Sequence, residues 1–116
     1  MKHIGSCHCG KVRYEAESDL VPLLRCNCSY CTRQGSILTF VPEENFTLVS
    51  GAEALTEYRF NTGRIQHLFC ATCGVESFAR GQQPDGTPMV ALNVHCLEGI
   101  DRFDLAPKDF DGKTKM

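Results

Sequence analysis

The sequence predicts a mainly β fold, a small all-β domain of short antiparallel strands. About eight short apolar or alternating runs are separated by Gly, Pro, Asn and Asp turn signals. No stretch carries apolar residues at the 3.6-residue spacing of a long helix. Eight cysteines in 116 residues are bunched as C-x-C, C-x-C-x-x-C and C-x-x-C. A chain this short buries only a modest core, and staples are how small sheet domains make up the difference.

Taken in order, Cys7-His8-Cys9-Gly10 is a tight turn, with Gly10 where positive φ is needed. Residues 11–17 alternate, placing Val12, Tyr14 and Ala16 on one face of a half-buried strand. After a Ser18-Asp19 turn, residues 20–25 form an extended run that Pro22 demotes to an edge. That run leads into Cys26-Asn27-Cys28-Ser29-Tyr30-Cys31, followed by a short helical turn over residues 32–35 ended by Gly35. Residues 36–41 read as a buried strand, 42–45 as a turn and 46–49 as another strand. Ser50-Gly51-Ala52-Glu53 has the spacing of a capping box and opens a helical turn or two before residues 55–60 resume alternation.

Asn61-Thr62-Gly63 reads as a hairpin-type loop, and residues 65–69 lead into Cys70-Ala71-Thr72-Cys73-Gly74. A strand over 75–80, a polar loop over 81–88 and the most apolar strand, 89–94, follow. His95 and Cys96 end that strand, and residues 100–105 read as a last edge. The expected domain spans 1–116, with a polar, poorly anchored tail from about residue 107.

The formal charge is -2 and the pI about 6.0. No basic patch marks a nucleic-acid or anionic-membrane partner, and no apolar run approaches the length of a membrane span. The first seven residues contain no apolar segment of the kind that directs secretion. The expected location is the cytoplasm, a reducing compartment where disulfides are rare. The cysteines therefore read as metal ligands, and clustered thiolates point to zinc.

Cys7-x-Cys9-Gly10 and Cys70-x-x-Cys73-Gly74 both end in glycine, as two-ligand zinc knuckles do; paired, they make a closed, structural four-cysteine site. Cys26, Cys28 and Cys31 supply three corners of a second tetrahedron. If Cys96 is the fourth, both zinc sites are closed and the protein is a non-catalytic, zinc-stapled binding or scaffold module. If Cys96 is a core thiol, the second zinc keeps an open position and is a reactive centre. Spacing alone does not separate the two. His8 and His67 read as non-ligands, His8 because it points away between two ligands and His67 because it alternates within a strand. His95 is a candidate site-lining residue.

The order Cys7-His8-Cys9-Gly10, Cys26-x-Cys28-x-x-Cys31, Phe69-Cys70-x-x-Cys73-Gly74 resembles the glutathione-dependent formaldehyde-activating enzyme family, which includes the centromere protein V type of domain. The similarity runs from Ile4-Gly5-Ser6-Cys7 to Asn93-Val94-His95-Cys96-Leu97. It implies an Mss4-like, β-tent fold with two zinc ions, a structural one on Cys7, Cys9, Cys70 and Cys73 and an open one on Cys26, Cys28 and Cys31. It also implies a carbon–sulfur lyase type of enzyme, joining glutathione or another small thiol to formaldehyde or a related aldehyde.

Three thiolates leave a zinc centre a weak Lewis acid, so activating water is not its expected task. A thiol that coordinates zinc is deprotonated and becomes nucleophilic at neutral pH. Ser29, Asn27 or backbone N–H groups are expected to hydrogen-bond the cluster's sulfurs. Arg33 and Arg80 are the nearest candidates for the carboxylates of glutathione, and His95 and Glu76 for a general acid.

Overall fold

The computed structural model describes residues 1–60 and 63–115. Among these residues, ten short strands form two sheets. The smaller has the order β1-β2-β5, from Lys2–Ser6, Arg13–Glu17 and Phe46–Ser50. The larger holds β3 (Leu24–Cys26), β4 (Leu38–Pro42), β6 (Leu55–Tyr58), β7 (Gln66–Cys70), β8 (Phe78–Gln82), β9 (Pro88–Asn93) and β10 (Lys108–Phe110), in the order β10-β3-β4-β9-β8-β7-β6. Every pair is antiparallel except β10 with β3, which is parallel. The helices are short, α1 over Ser29–Gln34 and α2 over Gly112–Lys115. Among the described residues no helix is long and apolar enough to cross a membrane.

The core lies between the sheets and follows strand alternation. Val12, Tyr14 and Ala16 are buried, as the alternation of residues 11–17 predicts, and face Phe46, Phe78, Val90, Leu92 and Val94. Tyr14, Phe46 and Phe78 form a ring cluster with centroids 4.8–5.7 Å apart. The Tyr14 hydroxyl donates to the Ser77 carbonyl at 3.0 Å, which satisfies its one buried polar group. The same ring explains Gly5 in β1, because a Cβ there would lie 2.3 Å from Tyr14 Cζ.

The larger sheet uses its second face differently. Val41, Val90, Leu92 and Phe78 point into the core, while Leu38, Phe40, Ala79, Ala91 and His67 line a cavity. Ala79 and Ala91 are paired across β8 and β9. Two small side chains at that pair leave room above the sheet.

Several expectations are corrected. Residues 2–6, given no element from the sequence, form β1, fixed by its ladder to β2 and by ion pairs Lys2–Glu15 and Met1 N–Glu17. Residues 20–23 are outside strand structure, with Leu20 at φ 58°. The capping box does not form; Gly51 at φ 92° caps a single 3-10 turn over Ala52–Ala54, and Ser50 Oγ donates to the Lys11 carbonyl instead. Residues 100–105 contain a 3-10 turn, Arg102–Asp104, capped by Asp101, rather than an edge strand. Asn61 and Thr62, two of the three residues of the expected hairpin-type loop, lie outside the described residues.

The tail is anchored, not loose. β10 pairs with β3 through Lys108–Leu24, Asp109–Arg25 and Phe110–Cys26, and Arg25 meets Asp109 at 2.8 Å. Asn27 donates to Asp111 and accepts from the Lys113 N–H. Backbone pairing with an edge strand needs no apolar composition, which is why the polar sequence conceals it.

Candidate functional site

The sulfurs of Cys7, Cys9, Cys70 and Cys73 all lie within 4.8 Å of one another. Cys9 Sγ is 3.6 Å from both Cys7 Sγ and Cys70 Sγ. Four sulfurs at the Zn–S distance of a tetrahedral site stand about 3.8 Å apart, so the quartet fits zinc. Two turns deliver it. The Gly10 N–H bonds the Cys7 carbonyl and the Gly74 N–H the Cys70 carbonyl, with φ of 82° and 80° at the two glycines. A Cβ at either glycine would meet no atom within 4 Å, so backbone conformation alone selects glycine there. The Val12 N–H points at Cys7 Sγ at 3.4 Å.

The thiols of this quartet split in acidity. At Cys73 burial opposes ionisation, but N–H groups of Cys9 and Val75 and the thiols of Cys7 and Cys70 outweigh it and bring the pKa down to about 6. At Cys9 a backbone hydrogen bond at Lys11 favours the thiolate, yet burial and the three neighbouring thiols prevail and push it up to about 11. Four thiolates this close repel one another. A divalent cation at their centre removes the conflict, which is the chemistry of a zinc site.

Cys26, Cys28 and Cys31 form the second cluster, again with sulfurs within 4.8 Å. Cys26 ends β3, Cys28 is the N-cap of α1 and Cys31 lies in its first turn. The Cys28 sulfur accepts from the Cys31 N–H at 3.3 Å, and the Cys26 sulfur from the Cys28 N–H at 3.4 Å. Backbone groups rather than the side chain of Asn27 therefore hold these sulfurs. Burial works against a Cys28 thiolate, but the N–H groups of Cys31 and Tyr30 and the two other thiols lower its pKa on balance. Burial, followed by the neighbouring thiols, raises Cys31. Cys96 belongs to neither cluster.

All three sulfur-bearing residues line the cavity of about 160 Å³ above the larger sheet. Glu76, His67 and Tyr30 line it too. Glu76 is buried and doubly held: Tyr30 Oη–H donates to Oε1, and His67 Nδ1 lies 3.1 Å from Oε2. Tyr30 lies against His67 with centroids 4.0 Å apart and the rings tilted by 34°, and stacks on Phe60 at 5.5 Å. Burial and then Glu76 raise the Tyr30 phenol, so it stays a proton donor to the carboxylate. His67 Nε2 is buried with no partner among the described residues, and is an acceptor in the tautomer that carries its proton on Nδ1.

The remaining candidates named from the sequence fall elsewhere. His95 lies beside a separate surface hollow with Asp101 and Arg102. Arg33 donates to the Ser29 carbonyl on the exposed side of α1, and Arg80 pairs with Glu43 while covering Phe46 and Phe78. Glu76 is legible in the sequence as an acid candidate; Tyr30 and His67 are not. The one available signal is Tyr30's place inside the cysteine turn.

A mainly β, Mss4-like domain with two cysteine clusters fit for zinc is the class these features define. The family model described as glutathione-dependent formaldehyde-activating enzyme matches residues 2–109, and the chain belongs to that family. The chain is also similar to a crystal structure of a Rhodobacter sphaeroides protein, with 37% identity and a TM-score of 0.81 over 94% of this chain and 98% of that one. Membership implies glutathione-dependent formaldehyde activation, with those two compounds as small-molecule partners.

Proposed function

We propose that this protein is a zinc-dependent enzyme of the carbon–sulfur lyase type. It adds a thiol, glutathione or another, to formaldehyde or a related small aldehyde, and runs the reverse elimination. Cys26, Cys28 and Cys31 hold the zinc of the reactive site, and Cys7, Cys9, Cys70 and Cys73 hold a second, structural zinc. The observation that carries the reading is the shared cavity: three sulfurs converge on a space that also contains a buried carboxylate held by two donors. The unit 1–116 works in the reducing cytoplasm, where ligand thiols persist, without a nucleic-acid or membrane partner.

Zinc, when bound, lowers the pKa of a thiol that reaches it. Glu76 takes the proton that the thiol releases. A carbon–sulfur bond then forms at the carbonyl carbon, the π pair moves to oxygen, and Glu76 returns the proton there. Nothing is oxidised or reduced, and the product is a hemithioacetal. Tyr30 and His67 fix both carboxylate oxygens, and His67 Nε2 offers an acceptor to the product hydroxyl. A general acid–base of this kind contributes about 10²- to 10⁴-fold.

The test is hemithioacetal exchange followed by NMR, with the spontaneous reaction subtracted, on wild type and Glu76→Gln. Glutamine keeps the shape and still accepts from Tyr30. The expected result is catalysis in the wild type and a loss of about 100-fold or more in the variant with zinc retained. A variant within threefold of wild type removes Glu76 from the chemistry. No wild-type rate above background with glutathione or other thiols overturns the enzyme reading for those substrates.

A further inference from the structure

The cavity over the three-cysteine cluster is apolar to a degree that glutathione does not explain. Leu24, Leu38, Phe60, Ala79 and Ala91 contribute to its walls. Its rim carries Phe40, Ile65 and Phe110, which stay 42%, 39% and 40% exposed. Among the described residues, no lysine or arginine lines it. The hollow on the other side of Cys26 and Cys31 has one, Arg25, and it is engaged by Asp109 at 2.8 Å; Asp109 and Asp111 line that hollow as well. A tripeptide with two carboxylates thus meets apolar walls on one side and, on the other, a hollow whose one cation is already paired. Unpaired carboxylates against such surfaces bind poorly.

The volume points the same way. An apolar cavity of about 150 Å³ accommodates a benzene ring, and this one is about 160 Å³. The paired alanines Ala79 and Ala91 make that room.

Resting on the thiol-at-zinc reading above, we infer that this site takes a small thiol carrying an apolar group of about the size of a phenyl ring, or its aldehyde adduct, in preference to glutathione.

The test uses protein loaded with cobalt in place of zinc, titrated with benzyl mercaptan and separately with glutathione, and read by the thiolate-to-metal absorption. Benzyl alcohol, which has the ring and no thiol, is added in a third arm and read by NMR shifts of the cavity residues. Benzyl mercaptan is expected to bind at least tenfold more tightly than glutathione. Ala91→Ile, which fills the cavity, is expected to remove that preference. Glutathione binding as tightly as benzyl mercaptan overturns the inference and leaves the thiol reading standing. If neither thiol alters the absorption but benzyl alcohol shifts the cavity residues, the thiol reading fails and the apolar preference of the cavity holds. No response in any arm overturns the inference too, as does a dimer that excludes benzyl alcohol by seating a second copy on the apolar rim.

Discussion

Cys73→Ser is expected to abolish cooperative folding, whereas Cys28→Ser is expected to leave the protein folded with one zinc fewer. The difference follows from how much chain each proposed site closes. Cys9 and Cys70 are 61 residues apart in sequence. Treated as a covalent link of that span, the outer zinc removes about 4 kcal/mol of unfolded-chain entropy. The stretch from Cys26 to Cys31 gives about 2 kcal/mol by the same relation. A chain of 116 residues has a total stability of about 6–17 kcal/mol. Loss of the outer link, together with the coordination energy a structural zinc brings to folding, consumes most of that. Cys28→Ser loses less, because serine is itself a favoured N-cap for α1. Zinc equivalents and thermal melts by circular dichroism read the outcome. A Cys73→Ser melt within about 5 °C of wild type, or equal unfolding of both variants, refutes the division of labour.

Tyr14→Phe removes one of the two donors to the buried Ser77 carbonyl, which keeps the Asn93 N–H, and is expected to cost about 0.5–1.5 kcal/mol, seen as a lower urea midpoint with an unchanged slope. Burial first, then the charges of Cys7, Cys73 and Glu76, push the Cys96 thiol from 9.0 up to about 11. The neutral thiol is the form the fold favours, so as the pH rises from 9 toward 11 the ionising unfolded chain gains on the native state and stability falls. In zinc-loaded protein, where burial still disfavours the thiolate, Cys96 is expected to react with iodoacetamide slowly at pH 8 and progressively faster as the pH rises, followed by mass spectrometry; alkylation at the rate of a free cysteine at pH 8 contradicts this.

Much of the fold is legible in the sequence because its signals are local. Alternation around Tyr14 identifies a core strand, and cysteine spacing separates two knuckles from a three-thiol turn without any knowledge of pairing. Signals that depend on partners are hidden. β1 and β10 are polar segments recruited by edge strands, so their composition carries no strand pattern. His67 looks like a core residue because alternation says only that a side chain is buried, not which face buries it. Here the face opposite the aromatic core holds the cavity, and His67 meets Glu76 there from the neighbouring part of the chain. Tyr30 gives no sign of its role because its partner, Glu76, is 46 residues away.

Each glycine-ended knuckle is half of the proposed structural metal site, carried on its own local turn. During synthesis the Cys7–Cys9 half is complete long before Cys70 and Cys73 exist, and two ligands cannot satisfy a tetrahedral ion. Correct assembly is thus a matter of timing: the first half must wait for the second half of its own chain. In a concentrated solution of refolding chains the nearest complementary half belongs to another molecule, and zinc then records the wrong neighbour as faithfully as the right one. Metal added after the two sheets have met avoids that exchange, because by then the sulfurs of one chain already stand together.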